Sequence, residues 1–405
     1  MKAKAFFAKL KEWAKRTFSL KRLSPAAPSF IAIGFGIGFG IITMFIIWLL
    51  SIIGVLETYN DPEFFYGISL LLAGGFNEGM ESFGDMLYSS APLILAGLAV
   101  GFAFRTGLFN IGVPGQMIMG SLTAVFIGMK LSLPAPFHWL LALLAGMAAA
   151  CIWGTIVGFL KAILNVHEVV SSIMMNYVAM YTAFIIIKGN AMLDGNTQHT
   201  KAVMESALLP HSELAIFGYY DLDIGILIAI FAVIIIYIIL NKTTLGYQLK
   251  AVGFNKDASK YAGMDTKRNI ITSMAISGCL AGIAGAVFVL IPGKYVWVTR
   301  DMMSAELMSV GFDGISVALL GLTQPVGVLF AGLFLAYVRQ GGYYMEMANY
   351  MKEMADVIIA VIIYFSALST VLYQFVKNRR AKMEKLKAEK IVGKHHAVAT
   401  GGDES

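Results

Sequence analysis

Residues 243–269 read TTLGYQLKAVGFNKDASKYAGMDTKRN, a polar stretch between two long apolar runs at 224–240 and 270–291. The hydrocarbon core of a bilayer is about 30 Å thick, and a helix needs roughly 20 apolar residues to cross it. Both runs have about that length. The polar stretch is therefore expected to lie in one aqueous compartment, between two membrane-spanning helices.

The middle of this stretch predicts a very short helix. Asn255 is a suitable N-cap, Asp257 falls in the first turn, and Gly263 provides the stop after the helix. Ala258 and Tyr261 share one face of that helix. Because alanine has little bulk, the backbone of another protein can approach this face closely. Periodicity alone leaves an ordinary basic loop as an equal alternative.

Composition places the whole chain in lipid. The 405 residues are 58% hydrophobic and 14% charged, with a mean hydropathy of +0.73, whereas soluble domains carry roughly 25% charged residues. The net charge of +6 does not indicate nucleic-acid binding, because the basic residues are spread according to membrane side rather than on one globular face. Cys151 and Cys279 fall inside apolar runs and do not predict a disulfide framework.

We expect an all-α polytopic transmembrane bundle with about ten spans. The N-terminal apolar run at 30–55 exceeds a signal-peptide core of about 7–15 residues and is interpreted as an uncleaved first span. The predicted domains are a basic N-terminal segment (1–29), a transmembrane domain (30–376, with its polar loop at 241–269) and a basic tail (377–405). The predicted spans are 31–55, 88–104, 112–129, 138–160, 169–187, 224–240, 270–291, 307–321, 325–338 and 355–375.

The distribution of lysine and arginine sets the orientation. With the N-terminus inside, 24 of the 31 basic residues fall on the cytoplasmic side, as the positive-inside rule requires. Both termini are therefore predicted to be cytoplasmic. Arg339 is among the seven basic residues assigned to the outside.

Glycine patterns within the spans predict close helix packing rather than nucleotide binding. The run GFGIGFG at 34–40 lies inside an apolar span with no strand before it, so it does not fit a nucleotide fingerprint. Small residues four apart, such as Gly34 and Gly38, let helices approach in lipid.

Two breaks in the apolar pattern are the candidate substrate pathway: a first break at 104–117 and a second break at 308–334. Interrupted hydrophobic segments at corresponding places in two halves of a transporter point to its binding site. Polar side chains in spans should face the bundle or a wet cavity. The alternatives are hydrogen bonding between helices for the amides, a helix cap for the acid and simple packing for the aromatic ring. The candidates are Asn110, Gln116, Asn176, Phe312 and Asp313.

Enzymatic and metal chemistry find little support. The spacing at Gly79 and Gly84 is followed by Asp85 and Met86, so no Walker A lysine is present to cradle a phosphate. His199 and His211 are twelve residues apart without thiolates nearby and do not predict a metal site. The chain is expected not to hydrolyse ATP itself.

The amino-acid sequences of several segments resemble those of a known family. The pattern Gly246-x4-AVG-x-N-x2-A-x4-Gly263 is similar to the cytoplasmic coupling loop of bacterial ABC-importer permeases, in the branch that serves ribose-type sugars, branched-chain amino acids and nucleosides. Residues 107–124, 167–179 and 311–321 resemble recurring blocks of the nucleoside and simple-sugar permeases. At His167 and at Val113-Pro114, this sequence differs from the residues that are usual in these permeases.

This resemblance implies a permease subunit that carries nucleosides across the bacterial plasma membrane, with ATP and Mg on separate subunits and no cofactor on this chain. It implies as partners an ATP-binding subunit, a second permease subunit in a heterodimer, an extracytoplasmic substrate-binding lipoprotein and the nucleoside, with no nucleic acid. Alternatives are a simple-sugar permease and an ion-coupled secondary transporter with Asp313 and Glu168 as its acids. The residues that would couple to the ATPase are Gly246, Gly253, Asn255, Ala258, Tyr261 and Gly263.

Overall fold

The computed structural model describes residues 27–55, 61–195, 199–210, 223–292, 302–366 and 368, and these are nearly all helical. The side chains at 302–306 are not described. His211, the tail at 377–405 and most of the N-terminal segment lie outside the described residues. The helices are α1 Ala27–Ile52, α2 Phe64–Ala73, α3 Met80–Arg105, α4 Val113–Lys130, α5 Phe137–Leu164, α6 Glu168–Gly189, α7 Gly225–Lys242, α8 Thr244–Phe254, α9 Lys256–Tyr261, α10 Thr266–Val289, α11 Met302–Leu320, α12 Pro325–Tyr344 and α13 over residues 353–366.

Every predicted span overlaps a helix, and for the tenth span, 355–375, residue 367 and residues 369–375 lie outside the described residues. Six of these helices, α1, α3, α5, α6, α7 and α10, are long and apolar enough to cross a membrane. The helices α4 and α12 have the length, with 18 and 20 residues, but they carry polar groups such as Gln116 and Arg339. Two helices were not predicted. The helix α2 lies in what the sequence indicated as an outer loop, and α8 precedes the short helix in the polar stretch.

The chain divides into two compact units, residues 40–359 and residues 1–39 with 360–405. In the described part of the smaller unit, Gly36 packs against Ile362, and the ring of Phe35 stacks on Phe365 with centroids 4.9 Å apart. Among the described residues, nothing lies within 4 Å of a Cβ added at Gly34 or Gly38. The intrachain packing glycines of α1 are therefore offset by two residues from the predicted pair.

The helix α3 forms the centre of the larger unit. Its residues 90–103 are all buried, and α10, α11 and α12 pack around it. A Cβ added at Gly97 would lie 2.5 Å from Val317 of α11, and one added at Gly332 of α12 would lie 2.5 Å from Ile94. Small residues on these helices thus admit the branched side chains of their neighbours.

The contact between α5 and α10 brings main chains together. A Cβ added at Gly154 would lie 2.5 Å from the carbonyl oxygen of Met274, and one added at Gly278 would lie 2.5 Å from that of Ala150. The same close approach recurs one turn away between Gly146 and Gly282. Small residues at four-residue spacing permit this packing in a bilayer, where dispersion rather than hydrophobic exclusion holds helices together.

Candidate functional site

The polar segment at 243–269 folds as two consecutive helices, α8 and α9, each with a side-chain cap. The hydroxyl of Thr243 accepts a hydrogen bond from the amide of Gly246 at 3.1 Å, and Asn255 Oδ1 accepts from the amide of Ala258 at 2.9 Å. Gly263 follows α9 with φ at +80°, the left-handed region that favours glycine. The predicted short helix, its cap and its stop are confirmed.

The outer side of this segment is open to solvent. Tyr261 is 94% exposed and Phe254 is 88% exposed, and Ala258 is exposed between them. Large aromatic rings bring much apolar area and are enriched at the centres of protein interfaces. Phe254 was not among the site residues singled out from the sequence. The signal was available, because Phe254 is a large aromatic residue directly before the N-cap Asn255.

The inner side of the same segment is held tightly by backbone contacts. A Cβ at Gly246 would collide with the carbonyl oxygen of Ile239, and one at Gly253 would lie 2.5 Å from the carbonyl carbon of Thr106 and 2.7 Å from the amide nitrogen of Gly107. Both positions therefore need glycine for steric reasons. The segment rests on the turn that joins α3 to α4.

The two amides of the first break, Asn110 and Gln116, form a buried network, and Asn176 of α6 bonds the backbone of the same break. Asn110 Nδ2 donates to Gln116 Oε1 at 3.0 Å and to Ser277 Oγ at 2.8 Å, while its Oδ1 accepts from the amide of Gly112 at 2.9 Å. Asn176 Oδ1 accepts from the amide of Gly115 at 2.9 Å. Asn110, Gln116 and Asn176 are almost completely buried. In this conformation, these bonds hold α4 to α6 and α10.

The second break packs against the first. A Cβ at Gly311 of α11 would lie 2.6 Å from the α-carbon of Pro114 at the start of α4. At the turn between α11 and α12, Leu322 and Thr323 adopt φ values of +54° and +56°. The carbonyl of Thr323 accepts a hydrogen bond from Arg105 Nε at 3.3 Å. The two irregular regions singled out from the sequence are therefore neighbours in space.

The acid of the second break has a basic partner. Arg339 lies within α12 rather than in the outer loop to which the sequence pattern assigned it, and its Nη2 lies 2.7 Å from Asp313 Oδ2 and 3.7 Å from Asp356 Oδ1. Phe312, beside Asp313, is 41% exposed. A guanidinium neutralises charge that would otherwise be costly among apolar helices. Asp313 and Phe312 are not among the hydrogen-bonded members of the Asn110 network.

Within the described part of the chain, no three His, Cys, Asp or Glu side chains are grouped so that they could hold a metal ion. The other acid considered from the sequence, Glu168, forms an ion pair with Lys161 at 2.7 Å. Both candidate acids are thus engaged with a basic side chain. The described polar side chains of the two breaks take part in hydrogen bonds and in charge pairing.

Comparison with known proteins extends over most of the chain. The family model for the branched-chain amino acid transport system permease component matches residues 82–367. The guanosine ABC transporter permease protein NupP of Bacillus subtilis is 41% identical over 90% of this chain and 99% of its own length. The nucleoside ABC transporter permease protein NupB of Lactococcus lactis is 33% identical over 78% and 91% of the two chains.

A third relative is the glucose ABC transporter permease protein TsgB13 of Haloferax volcanii, 30% identical over 85% of this chain and 88% of its own. No solved structure matches the chain. The family match covers both breaks and the whole 243–269 segment, and the relatives are covered almost from end to end. The chain therefore belongs to the branched-chain amino acid transport system permease component family.

Proposed function

We propose that this chain is a permease subunit of an ABC importer and that its cargo is a nucleoside. The observation that carries the proposal is the 41% identity with a guanosine permease across 90% of this chain, supported by the 33% identity with a nucleoside permease. Membership of the permease family and the six long apolar helices make it a multi-pass protein of the cell membrane. The 30% identity with a glucose permease makes a simple sugar the second candidate cargo.

In this proposal, ATP and Mg act on separate subunits, because the sequence has no Walker A loop to cradle a phosphate. The work of hydrolysis must then reach this chain through a protein contact. The segment at 243–269 is the proposed contact, supported by its exposed rings at Phe254 and Tyr261 and by the side-chain caps of its two helices. Gly246 and Gly253 hold it against the rest of the chain, and Ala258 leaves space for the partner's backbone.

The proposed cargo pathway runs past the two breaks, with Asn110, Gln116, Asn176, Phe312 and Asp313 at its edge in some stage of transport. Support comes from the packing of Gly311 against Pro114, which joins the breaks, and from the fact that interrupted helices recur at transporter sites. Amides offer both a donor and an acceptor, which suits the hydroxyl and base edges of a nucleoside. In the present conformation, Asn110 and Gln116 bond each other and Asn176 bonds the backbone of Gly115 and Ile111, so cargo binding would exchange these bonds.

The proposed topology has ten spans with both termini in the cytoplasm. It is supported by the coincidence of each predicted span with a helix and by the placement of 24 of 31 basic residues on one side. A second permease subunit, different from this one, would complete the pathway. A lipoprotein outside the cell would deliver the nucleoside to the outer face.

The ion-coupled alternative is less well supported by the geometry. Its two candidate acids, Asp313 and Glu168, are paired with Arg339 and Lys161 at 2.7 Å. A carboxylate held by a neighbouring cation is less available to bind a transported ion.

Uptake by cells or proteoliposomes that contain the complete transporter tests the function. We expect labelled guanosine to enter only when ATP is present, and unlabelled nucleosides but not ribose or glucose to compete. Competition by the sugars alone would move the assignment to a sugar permease. Uptake that survives ATP depletion under an intact proton gradient, and that is lost in Asp313→Asn, would establish the ion-coupled alternative instead.

A further inference from the structure

The exposed segment and the buried first break are joined by a short continuous set of contacts. It begins where α8 ends, at Gly253, whose backbone lies directly on the backbone of Thr106 and Gly107. Gly107 has φ at +76°, and a Cβ added there would collide with the α-carbon of Gly253. A side chain at either glycine would collide with the backbone of the other segment. The two stretches of main chain are therefore in direct contact, with no side chain between them.

The next contact leads from this turn to α10. The hydroxyl of Thr106 is hydrogen-bonded to the hydroxyl of Ser273, and it also bonds the carbonyl oxygen of Ala103 at 2.8 Å. Thr106 is 4% exposed and Ser273 is fully buried. With water excluded, these hydroxyls have no alternative partners in the solvent, so a displacement of the turn must displace or break the bond.

One helical turn further along α10, the same face reaches the amide network. Ser277 follows Ser273 by four residues, which places both side chains on one face of the helix. Its hydroxyl donates to the carbonyl oxygen of Ala99 at 2.7 Å and accepts from Asn110 Nδ2 at 2.8 Å. The set of contacts thus ends at Asn110, which bonds Gln116 in the first break.

Apolar packing keeps this path stiff. A buried cluster joins the end of α3, the turn, α5, α8 and α10, so all the elements concerned share one core. The members of the cluster are Ala103, Leu108, Val157, Ala162, Val252, Ile270 and Met274. Protein interiors are packed as densely as organic crystals and transmit displacement rather than absorb it.

We propose that the backbone contact of Gly253 with Thr106 and Gly107 is the joint through which displacement of the 243–269 segment reaches the amide network of the first break. The inference rests on the proposed function, since it takes that segment to be where the ATPase acts. It makes Gly107, Gly253 and Thr106 positioning residues for transport. None of them needs to touch the cargo or the ATPase.

The test uses the complete transporter in proteoliposomes and measures cargo uptake, ATP hydrolysis and copurification of the ATPase subunit. Gly253→Ala adds one methyl group at the joint; alanine is the better helix former, so loss of α8 would not explain a defect. Gly34→Ala is the matched control, because no described residue lies within 4 Å of its added Cβ. A second pair, Thr106→Val and Thr106→Ser, removes or keeps the hydroxyl.

We expect Gly253→Ala to keep the ATPase bound and hydrolysing while uptake per ATP falls about tenfold, within the range by which mutations alter coupling. Thr106→Val, which removes the hydroxyl, should lower uptake per ATP. Thr106→Ser, which keeps the hydroxyl, should leave uptake per ATP unchanged. Uptake per ATP equal to that of the unsubstituted protein in both Gly253→Ala and Thr106→Val would overturn the inference. Failure of both variants to assemble with the ATPase would also overturn it, since the contact would then only hold the fold.

These outcomes are separable from failure of the proposed function. If the unsubstituted complex shows no ATP-dependent uptake of nucleosides or sugars, the function itself is wrong. If that uptake is present, the variants address the joint alone.

Discussion

Removing the exposed rings of the 243–269 segment should weaken binding of the ATPase subunit. Phe254 and Tyr261 are 88% and 94% exposed, so nearly the whole area of each ring is available to a partner. A buried aromatic side chain covers roughly 150–250 Å², and at about 25 cal/mol per Å² its complete burial is worth roughly 4–6 kcal/mol. Incomplete burial and loss of side-chain freedom reduce this gain.

About 2 kcal/mol for each ring is therefore a reasonable net value, in the range of interface hot spots. This corresponds to a Kd raised about 30-fold by Phe254→Ala or by Tyr261→Ala. The assay uses surface plasmon resonance. Purified ATPase subunit is titrated onto immobilised, detergent-solubilised permease complex, and the association and dissociation rates are measured. Most of the change should appear as faster dissociation.

Phe65→Ala is the control, because Phe65 is 82% exposed on α2, away from the polar segment in sequence and on the proposed outer side. Its Kd should be unchanged. If Phe254→Ala and Tyr261→Ala both bind the ATPase as tightly as Phe65→Ala does, the exposed rings do not form the contact. The assignment of the 243–269 segment as the docking element would then be refuted.

Three further predictions concern the interior of the larger unit. Asn176→Ala removes both hydrogen bonds of that side chain to the first break and should lower the free energy of unfolding by about 1–3 kcal/mol. The melting temperature in detergent should fall accordingly. An unchanged melting temperature with abolished uptake would identify cargo binding instead. Arg339→Leu leaves Asp313 without its cation and should destabilise the protein by about 1–3 kcal/mol, which is less than for a fully buried pair because this pair is partly exposed. The double variant with Asp313→Leu should recover most of this stability. A double variant as unstable as Arg339→Leu would contradict the ion-pair argument. Gly40→Leu forces a side chain into Ile358 and should destabilise by about 1–3 kcal/mol through overpacking, whereas Gly38→Leu should not, as thermal unfolding of the two variants would show.

The polar segment was predictable because its signals are local. Asn255 and Gly263 act within one or two turns of helix, and the capping and stop chemistry that they supply does not depend on the rest of the fold. The preceding helix α8 escaped prediction for the opposite reason. Its glycines at 246 and 253 argue against a helix by propensity, yet they are needed for close approach to Ile239 and to the turn at Thr106.

Charged residues inside apolar stretches marked the right places but not their partners. Asp313 was singled out as a polar side chain that should face the bundle or a wet cavity, but Arg339 was assigned to the outside because it follows the end of a predicted span. The pairing depends on how α11 and α12 lie beside each other, which hydropathy does not encode. Likewise, the sequence placed Asn110 and Gln116 at a break, while the connection to Ser277 required the packing of α10 against α3.

The close contact of α5 with α10 limits how this protein can change shape. Where carbonyl groups of one helix sit against glycines of the other, there is no layer of side chains whose rotamers could yield to let the helices slide. These two helices should travel as a single plate throughout the transport cycle. Opening and closing of the transport pathway must then occur between pairs such as α3 and α12. There the side chain of Ile94 lies against Gly332, and a change of its rotamer lets the two helices shift.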